Sequence, residues 1–448
     1  MSGEFRTVVL DDDPTGIQTV HGCQLITRWD EETVRSALCD EIPFFFILTN
    51  TRALPPESAR ARGMEIARTV LAEAKGLGVE VVFISRSDST LRSHFPLECD
   101  AIRAAMVAAA QPDAKAQADI DALFLIPAFF EGNRITRDNV HLIRVEDEWI
   151  PTDRTEFARD SVFGYSTSFL PRYIQEKDGV DASQVQSLSL DILRAADRSA
   201  LVDQLCTLDD GRYVVVNGES YDDLDRFSAA VRDAIRSGRR FLFQTAASFV
   251  KSFTATPDIG LIGPEVSMPS ATHPRGLVVV GSHVRKSSDQ LACLLMESNV
   301  AAVEIDVRRV LRADREYLAE VVVEIERIWN SGATPVVFTT RTELQFPTTE
   351  ERLQAGQCVS RFLSNIVRSI QLPLRFLVSK GGITSHDLLV DGLQLASARV
   401  LGQIAPGVPV IRIPRDHRFA GVPYVIFPGN VGEVTTLRDV FRTLSAFV

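Results

Sequence analysis

The sequence is short of several features that would assign it to common classes of protein. It has no excess of basic residues, because 48 Lys and Arg stand against 59 Asp and Glu and give a net charge of −11. Such a chain has few spare cations to neutralise a phosphate backbone, which argues against nonspecific nucleic-acid binding. The longest apolar runs, 42–48 and 122–130, are far shorter than the roughly 20 residues that span a bilayer. We therefore predict a soluble protein with no nucleic-acid and no membrane partner.

Paired cysteines and familiar metal or phosphate motifs are also missing. The six cysteines form no CxxC pair, and the histidines form no HExxH pattern. We predict reduced thiols, a cytoplasmic location and no metal held by the protein's own side chains. The chain has no GxxxxGK[ST] loop and no opening GxGxxG fingerprint. Their absence excludes a Walker-type phosphate loop and disfavours a dinucleotide dehydrogenase.

What is present is a long alternation of short β-rich runs and helical patterns, which is typical of parallel α/β architecture. At 448 residues the chain is longer than a single core usually supports. Residues 256–276 are rich in Pro, Gly and Ser and lack periodicity, so we interpret them as a linker. The prediction is two α/β domains, 1–255 and 277–448, with mainly parallel sheets facing each other across a cleft.

Three consecutive carboxylates, Asp11, Asp12 and Asp13, follow the first predicted strand at 6–10. Adjacent acids repel one another, so their burial is unfavourable unless cations or hydrogen-bond donors offset the charge. In an open α/β sheet, ligands bind at the carboxyl ends of the strands. By itself such a cluster can accept protons, hold Mg²⁺ or bind sugar hydroxyls.

Three more polar loops, at 49–52, 85–94 and 126–136, follow predicted strands in the first half of the chain. The second and third contain arginine and hydroxyl side chains, which together suit a planar carboxylate. Each loop alone is equally typical of a polar strand end or a capped helix start. Because the ends of parallel strands meet at one sheet edge, the four loops together favour a shared site.

The second half of the chain carries glycine-rich turns after its predicted strands, at 281–282, 380–385 and 428–432. Glycine lets backbone N–H groups approach an anion, and a helix predicted from Ser385 would add a favourable dipole. This combination suits nucleotide phosphates. Each turn alone is also typical of a plain loop.

The order of these motifs resembles the four-carbon acid sugar kinase family, formerly a family of unknown function. The resemblance covers nearly the whole chain, and DSTLR is its most specific part. The matching segments are 11–16 (ADD-hydrophobic-TG in the family), 88–93 (DSTLRG), 127–130 (PAFP), 133–136 (GRxT), 281–282 (GS), 381–384 (GGxT) and 428–432 (the Gly-rich element).

The resemblance implies an N-terminal domain that binds a sugar acid and a C-terminal domain that binds ATP, with Mg²⁺ as the accompanying ion. Members phosphorylate a hydroxyl of four-carbon acids such as threonate, erythronate or their oxo analogues. The expected partners are therefore a small sugar acid and ATP. A homodimer is an assembly that the sequence leaves open.

The resemblance also assigns roles to the residues of this sequence that stand at the family's motif positions. Asp12 and Asp13 would contact the substrate hydroxyls and provide the catalytic base, with Asp13 the hypothesis for the proton acceptor. The acid itself would be held by the following residues: Ser89, Thr90, Arg92 and Arg134. The ATP site would be lined by the following residues: Ser282, Gly381, Gly382, Ile383, Thr384 and Gly429.

Five residues depart from the family pattern around the predicted acid-sugar site, which opens the substrate to a difference from threonate. Asp11 adds a charge that the family pattern lacks, so it is the first position at which we would look for the cause of a changed substrate. The departures are Asp11 for alanine, Pro14 for an aliphatic residue, Arg86 for lysine, Ser93 for glycine and Asn133 for glycine.

Two other functions stay open on the sequence alone. The run from Asp11 to Thr15 also fits the DxDxT motif of haloacid-dehalogenase-like phosphatases, with Asp11 as nucleophile and Asp13 as acid. That motif needs an acidic pair at a strand end, and Asp222 and Asp223 come too far after the nearest predicted strand. The other alternative is a non-enzymatic metabolite-binding protein in which the acids only clamp a ligand.

Overall fold

A computed structural model describes residues 5–110, 119–266, 275–342 and 344–446. The chain divides into two compact units, Met1–Asp258 and Ile259–Val448. Part of the linker predicted at 256–276, namely 267–274, lies outside the described residues. Among the helices of the described ranges, none has both the length and the apolar character that crossing a membrane would require.

Helices and strands alternate through most of the first unit. In chain order they are β1 (Arg6–Asp11), β2 (Gln24–Ile26), α1 (Glu31–Leu38), β3 (Phe44–Leu48), α2 (Pro56–Leu77), β4 (Val81–Arg86), α3 (Leu97–Ala109), β5 (Ala122–Ile126), β6 (Arg134–Arg137), β7 (Val140–Val145), β8 (Glu148–Pro151), α4 (Leu170–Asp178), β9 (Gln186–Leu188), α5 (Leu190–Ala195), α6 (Arg198–Cys206), β10 (Arg212–Val216), α7 (Tyr221–Arg236), β11 (Phe241–Thr245) and α8 (Ala247–Thr254).

The main sheet of this unit is parallel, with strand order β2-β3-β1-β4-β11-β5-β10-β9. Its central strands are buried on both faces, and every residue of β3 and β5 is buried. Burial on both faces explains the uninterrupted apolar runs that the sequence shows there. A separate antiparallel sheet, β6-β7-β8, was not predicted, because its short strands mix charged and apolar residues.

The second unit repeats the alternation. In chain order its elements are β12 (Leu277–Val280), α9 (Arg285–Leu294), β13 (Val300–Ile305), α10 (Val307–Leu311), α11 (Tyr317–Asn330), β14 (Thr334–Thr339), α12 (Thr349–Ser369), β15 (Leu377–Lys380), α13 (Gly382–Asp387), a π-helical turn (Leu388–Gly392), β16 (Ser397–Ala405), β17 (Val408–Arg412), β18 (Pro423–Phe427) and α14 (Thr436–Ser445).

Its sheet is parallel over β13-β14-β12-β15-β18 and then antiparallel over β18-β17-β16. The prediction of an α/β fold with mainly parallel sheets is therefore confirmed in each unit. The antiparallel pair of β16 and β17 contains two register irregularities. The sequence pattern predicts a strand at 409–413, and the structure has β17 there, at Val408–Arg412. The irregularities fall on β16, and such bulges break the regular alternation of a strand, which is why periodicity did not reveal β16.

Helix α2 shows how local signals set an element's ends. It begins at Pro56, where proline lacks an N–H that the first turn does not need. It continues through Gly76 and ends before Gly78, whose φ of 67° is the left-handed conformation that closes many helices. The sequence predicts this helix from about Pro56 to Lys75, so the predicted end was two residues short.

Candidate functional site

The first candidate site lies where three neighbouring parallel strands end. Asp11, at the end of β1, is in register with Leu48 of β3 and with Arg86 of β4. Backbone hydrogen bonds continue past the strands, from Thr49 N to Asp11 O at 2.8 Å and from Asp12 N to Arg86 O at 3.2 Å. The structure thus brings the predicted loops 11–16, 49–52 and 85–94 to one sheet edge.

Arg52 is the cation that joins these loops. Its guanidinium binds Asp12 through two hydrogen bonds, Nη2 to Oδ1 at 2.6 Å and Nε to Oδ2 at 3.0 Å. Its Nη1 lies 3.4 Å from Asp13 Oδ2 and 3.9 Å from Asp88 Oδ1. Arg52 was not predicted as a site residue, although the loop 49–52 was singled out. The polarity of that loop was the available signal, and only the fold supplies the three carboxylates.

Asp13 is the most accessible of the three consecutive acids. Its side chain is 21% exposed, against 2% for Asp12 and none for Asp11. Its Oδ1 accepts hydrogen bonds from the Thr15 backbone N–H at 2.8 Å and from Thr15 Oγ1 at 2.5 Å. Burial opposes ionisation, but Arg52, Arg86 and Thr15 outweigh it and hold the pKa of Asp13 below its usual value. Asp13 is therefore an ionised carboxylate whose Oδ2 has only one long contact.

The DSTLR segment forms a turn around Asp88. Asp88 Oδ2 accepts hydrogen bonds from the backbone N–H and the hydroxyl of Thr90, and from Arg92 Nε at 2.9 Å. Although burial opposes ionisation, Arg52 and Arg92 keep the pKa of Asp88 far below its usual value. Leu91 adopts a φ of 67°, a strained backbone for a residue with a branched side chain.

A buried histidine fixes Ser89 of the same turn. His141 Nε2 donates to the Ser89 carbonyl oxygen at 2.7 Å, and its Nδ1 lies 3.1 Å from Thr136 Oγ1. Burial lowers the pKa of His141 to about 4, so the ring is neutral at physiological pH. His141 thus orients the turn without adding charge to the site. Sequence reasoning gave it no role, because an isolated histidine carries no signal of its fold neighbours.

Arg134 differs from the other arginines of this site because it has no acidic partner among the described residues. Its guanidinium lies 5.8 Å from the centre of the Phe129 ring, and its Nε is buried without a hydrogen-bond partner. Burial lowers its pKa, yet an arginine stays charged at any physiological pH. Asp88 and Arg92 are near enough to influence it electrostatically. The structure therefore places an unpaired cation beside the predicted carboxylate-binding residues.

Glu98, on the first turn of α3, is a buried carboxyl that sequence reasoning missed. Its Oε1 accepts a hydrogen bond from Thr51 Oγ1, and its Oε2 is buried without a partner. Burial, together with the nearby charge of Asp12, raises the pKa of Glu98 to about 8. Glu98 is therefore mainly protonated at neutral pH. Glu98 shares the first turn of α3 with Asp100, and acids are common in the first turn of a helix, so the sequence carries no signal of this role.

The second candidate site lies at the ends of β12, β15 and β18, which are also neighbours in their sheet. The backbone N–H groups of Gly281 and Ser282 both donate to Lys380 O at 3.2 Å. The N–H of Gly381 donates to Phe427 O at 2.8 Å. The three glycine-rich turns are thereby held together.

Glycine is needed at this site because the turns approach one another closely. A Cβ on Gly281 would lie 2.0 Å from Thr384 Oγ1. A Cβ on Gly381, whose φ is 119°, would lie 3.0 Å from Ser282 Cβ, and one on Gly429 would lie 3.0 Å from Ser282 Oγ. Ser282, Gly381, Thr384 and Gly429 therefore lie close together, and their role in binding a nucleotide stays a prediction.

The other two predicted nucleotide residues, Gly382 and Ile383, form the start of α13. This helix begins at Gly382 rather than at Ser385, so the predicted start was three residues late. It is six residues long and continues into the π-helical turn. Ile383 is 71% exposed, so its side chain is free to meet a ligand.

Two cations without acidic partners among the described residues support these turns. Lys380 is fully buried, and its Nζ donates to the carbonyl oxygens of Pro428 at 2.5 Å and Gly429 at 3.2 Å. Burial lowers the pKa of Lys380 to about 7. Arg341 Nη2 donates to Ser282 O at 2.7 Å. Neither Lys380 nor Arg341 was predicted as a site residue, because the role of each depends on a contact with a turn that is far away in the sequence.

The departures from the family pattern have separate structural accounts. Asp11 and Arg86 form a buried ion pair, with Oδ1 and Nη1 3.0 Å apart. Asn133 adopts a φ of 57°, a conformation that asparagine tolerates almost as glycine does. Ser93 is buried, with its hydroxyl 3.5 Å from Gln244 Nε2. Nothing in the structure explains Pro14.

This geometry does not support a phosphatase. A nucleophile must reach the phosphorus atom, but Asp11 is fully buried and paired with Arg86. The acidic pair at 222–223 lies in the first turn of α7, where Asp223 caps the helix and binds Arg194. Within the described ranges, no cluster of three or more His, Cys, Asp or Glu side chains could hold a metal ion.

Two known domain families match this chain. Residues 7–253 match a family described as a sugar-binding N-terminal domain, and residues 277–437 match a nucleotide-binding C-terminal domain. The chain belongs to the four-carbon acid sugar kinase family.

Individual relatives agree with this family. The chain is 26% identical to a D-erythronate kinase from Heliobacterium modesticaldum over 368 residues, which cover 81% of this chain and 70% of that protein. The fold resembles a Haemophilus influenzae protein assigned to the DUF1537 family, with a TM-score of 0.66, 15% identity and coverage of 98% and 100% of the two chains. It also resembles a protein from Salmonella typhimurium LT2, with a TM-score of 0.67, 16% identity and coverage of 97% and 98%. At these identities the two structures establish the fold alone.

Proposed function

We propose that this protein is an ATP-dependent kinase that phosphorylates a hydroxyl of a small, four-carbon sugar acid. The observation that carries the proposal is the unpaired cation Arg134 beside ionised carboxylates, in a unit whose family binds sugars. An unpaired cation is suited to bind the carboxylate of the substrate, and the neighbouring carboxylates are suited to bind the hydroxyl groups of the substrate. The name of the relative from Heliobacterium makes erythronate the first candidate substrate.

The two predicted arginines of the acid site have different roles in this proposal. Asp88 engages Arg92 through Nε at 2.9 Å, and Arg92 Nη1 also lies 3.9 Å from Asp160 Oδ2, so the charge of Arg92 already has two acidic partners. Arg134, which has no acidic partner among the described residues and whose Nε is buried without a hydrogen bond there, needs to release no such partner before it binds the substrate. We assign the main carboxylate contact to Arg134 and a supporting contact to Arg92, with Ser89 and Thr90 shaping the turn between them. A charge-assisted pair of this kind is stronger than a neutral hydrogen bond.

Asp13 is the proposed base. Its Oδ2 takes the proton of the attacking hydroxyl, the hydroxyl oxygen bonds to the γ-phosphorus, and the bond from that phosphorus to the bridging oxygen of ADP breaks. Asp12 contacts the substrate hydroxyls, and Arg52 holds its carboxylate in a fixed orientation. Phosphoryl transfer depends mainly on such positioning and on charge stabilisation.

The nucleotide site of the proposal is formed by Ser282, Gly429 and the segment 381–384. Close packing of the turns around Ser282 supports it, because a side chain at Gly281, Gly381 or Gly429 would fill the space where these turns meet. ATP is proposed to bind as its magnesium complex. Mg²⁺ commonly keeps several waters and the substrate phosphates as ligands, so it does not require a cage of protein carboxylates. A cytoplasmic location and a homodimer stay predictions.

A panel assay tests the function. ADP formation is followed with MgATP and each stereoisomer of erythronate and threonate, their oxo analogues, and the uncharged polyol erythritol. We expect ADP with at least one acid and none with erythritol, since the polyol lacks the carboxylate. Binding of an acid without ADP formation would favour the metabolite-binding alternative. Release of phosphate from a phosphorylated acid without nucleotide would favour a phosphatase.

A further inference from the structure

Two of the departures from the family pattern, Asp11 and Arg86, are one structural feature. They occupy register-matched positions at the ends of the neighbouring strands β1 and β4. Arg86 Nη1 donates to Asp11 Oδ1 at 3.0 Å, and the two side chains are 5% and 0% exposed. The sequence suggested that the extra acid would face a changed substrate. In the structure, the Asp11 carboxylate pairs instead with the guanidinium group of Arg86.

Arg86 also approaches the adjacent acid of the site. The same Nη1 lies 3.7 Å from Asp12 Oδ1, the oxygen that accepts the 2.6 Å hydrogen bond from Arg52. Asp12 therefore lies between two guanidinium groups. Arg52 holds it with two short hydrogen bonds, while Arg86 is kept at longer range by its own bond to Asp11.

Gly16 leaves the space that the Asp11 carboxylate occupies. A Cβ on Gly16 would lie 2.1 Å from Asp11 Oδ2, so no larger residue fits at that position while Asp11 is in place. Among the residues that the structure describes, the buried Asp11 Oδ2 has no hydrogen-bond partner, whereas Oδ1 accepts from Arg86. Removing one member of such a buried pair leaves the other charge uncompensated.

We propose that Asp11 is a positioning residue, which holds Arg86 away from Asp12 so that Asp12 stays bound to Arg52 and oriented toward the substrate. This inference rests on the proposed kinase function. It follows that Asp11 does not touch the substrate and does not set which acid is used. The charged groups that act on Asp11 are Arg86, Asp12 and Asp13, and burial with the two acids raises its pKa to about 7 against the effect of Arg86.

The test is a double-mutant cycle with Asp11→Ala, Arg86→Lys and the combination of the two. We expect Asp11→Ala to lower kcat by about tenfold or more, because Arg86 then competes with Arg52 for Asp12. Adding Arg86→Lys should restore kcat to within about threefold of wild type, since lysine lacks the rigid fork of donors. The ranking of substrates in the panel should be the same in all four proteins.

A conservative variant keeps the test decisive if Asp11→Ala fails to fold. Asp11→Asn retains the oxygen that accepts from Arg86, so kcat should stay within about threefold of wild type. Because asparagine cannot titrate, any inflection of kcat near pH 7 that belongs to Asp11 should also disappear. Full activity of a folded Asp11→Ala, no restoration by Arg86→Lys, or a changed substrate ranking would overturn the inference.

Failure of the proposed function gives a different result. A wild-type protein that forms no ADP with any acid would refute the kinase, whatever the variants do. The contact between Asp11 and Arg86 is then tested by thermal unfolding of the same four proteins. Loss of stability in Asp11→Ala that Arg86→Lys recovers supports the positioning contact, and independent additive effects of the two substitutions contradict it.

Discussion

The proposed acid-sugar site of the first unit is built from paired charges, whereas the proposed nucleotide site of the second unit is built from glycines, hydroxyls and backbone groups. In the first, Arg52 alone contacts three carboxylates. In the second, Lys380 donates to two carbonyl oxygens. We therefore expect the two sites to bind anions by different means: the first through the charge of Arg134, and the second through the close approach of the turns around Ser282.

This difference predicts which kind of substitution damages each site. Changes of charge at constant size should harm the first site, and changes of size at constant charge should harm the second. The four variants that follow test this contrast, beginning with the largest expected effect.

Asp13→Asn should abolish most turnover. The substitution keeps the size of the side chain but removes the proton acceptor, and loss of a general base commonly lowers kcat by about 10² to 10⁴-fold. The measurement is steady-state ADP formation with the best acid of the panel. Asp119→Asn is the matched control, because it also removes a partner of an arginine but lies away from the site. Full turnover by Asp13→Asn would refute this role.

Arg134→Gln should weaken binding of the acid while leaving kcat closer to wild type. A charged hydrogen-bonded contact contributes about 1.5–3 kcal/mol, so KM for the acid should rise by about 10 to 100-fold. Arg92→Gln is the comparison, with a smaller expected rise because Asp88 already engages Arg92. Equal effects of the two variants, or a larger effect of Arg92→Gln, would reverse our assignment of the carboxylate contact.

Gly381→Ala should weaken binding of the nucleotide. The added Cβ lies 3.0 Å from Ser282 Cβ, and a φ of 119° strains any residue with a side chain. Strain of about 1–3 kcal/mol corresponds to a Kd roughly 5 to 100-fold higher. Gly332→Ala controls for the strain alone, because Gly332 has a φ of 94° but no neighbour within 4 Å of its Cβ. If both variants bind ATP equally well, close packing at Ser282 is not what matters.

Glu98→Gln should change the pH dependence of stability with a small effect on the fold. The folded pKa of Glu98, about 8, lies above its ordinary value of 4.5. The folded state therefore holds a proton that the unfolded state has lost, so stability falls as pH rises between those two values. Urea unfolding at pH 5, 7 and 9 should show this fall in wild type and a smaller one in Glu98→Gln. Exposed Glu80→Gln should behave as wild type, and an unchanged pH dependence in Glu98→Gln would contradict burial as the cause.

Much of this organisation could be predicted from the sequence because it is local. Polar residues directly after apolar strands, such as Asp12, Asp13 and Ser282, are placed by the rule that the ends of parallel strands meet. Arg52, Glu98 and Lys380 were missed because their roles depend on partners far along the chain. No local pattern shows that Glu98 lies near Asp12, or that the Lys380 amine reaches the turn at 428–429.

Asp11 shows the limit of a motif most clearly. Comparison with the family pattern identified it as the unexpected charge, and its position suggested a changed substrate. The strand register of β1 and β4 pairs it with the second unexpected residue, Arg86. A departure can therefore be internally compensated, and only the contact between strands reveals this.

The contrast between the two sites is tested most directly by measuring each ligand alone on each variant. Titration calorimetry would follow D-erythronate, or the best acid of the panel, and a non-hydrolysable ATP analogue with Mg²⁺. The proteins are wild type, Arg134→Gln and Gly381→Ala. We predict that Arg134→Gln loses affinity for the acid by about tenfold or more and keeps nucleotide affinity, and that Gly381→Ala does the reverse. Loss of nucleotide affinity in Arg134→Gln, or of acid affinity in Gly381→Ala, would contradict the assignment of the two ligands to the two units.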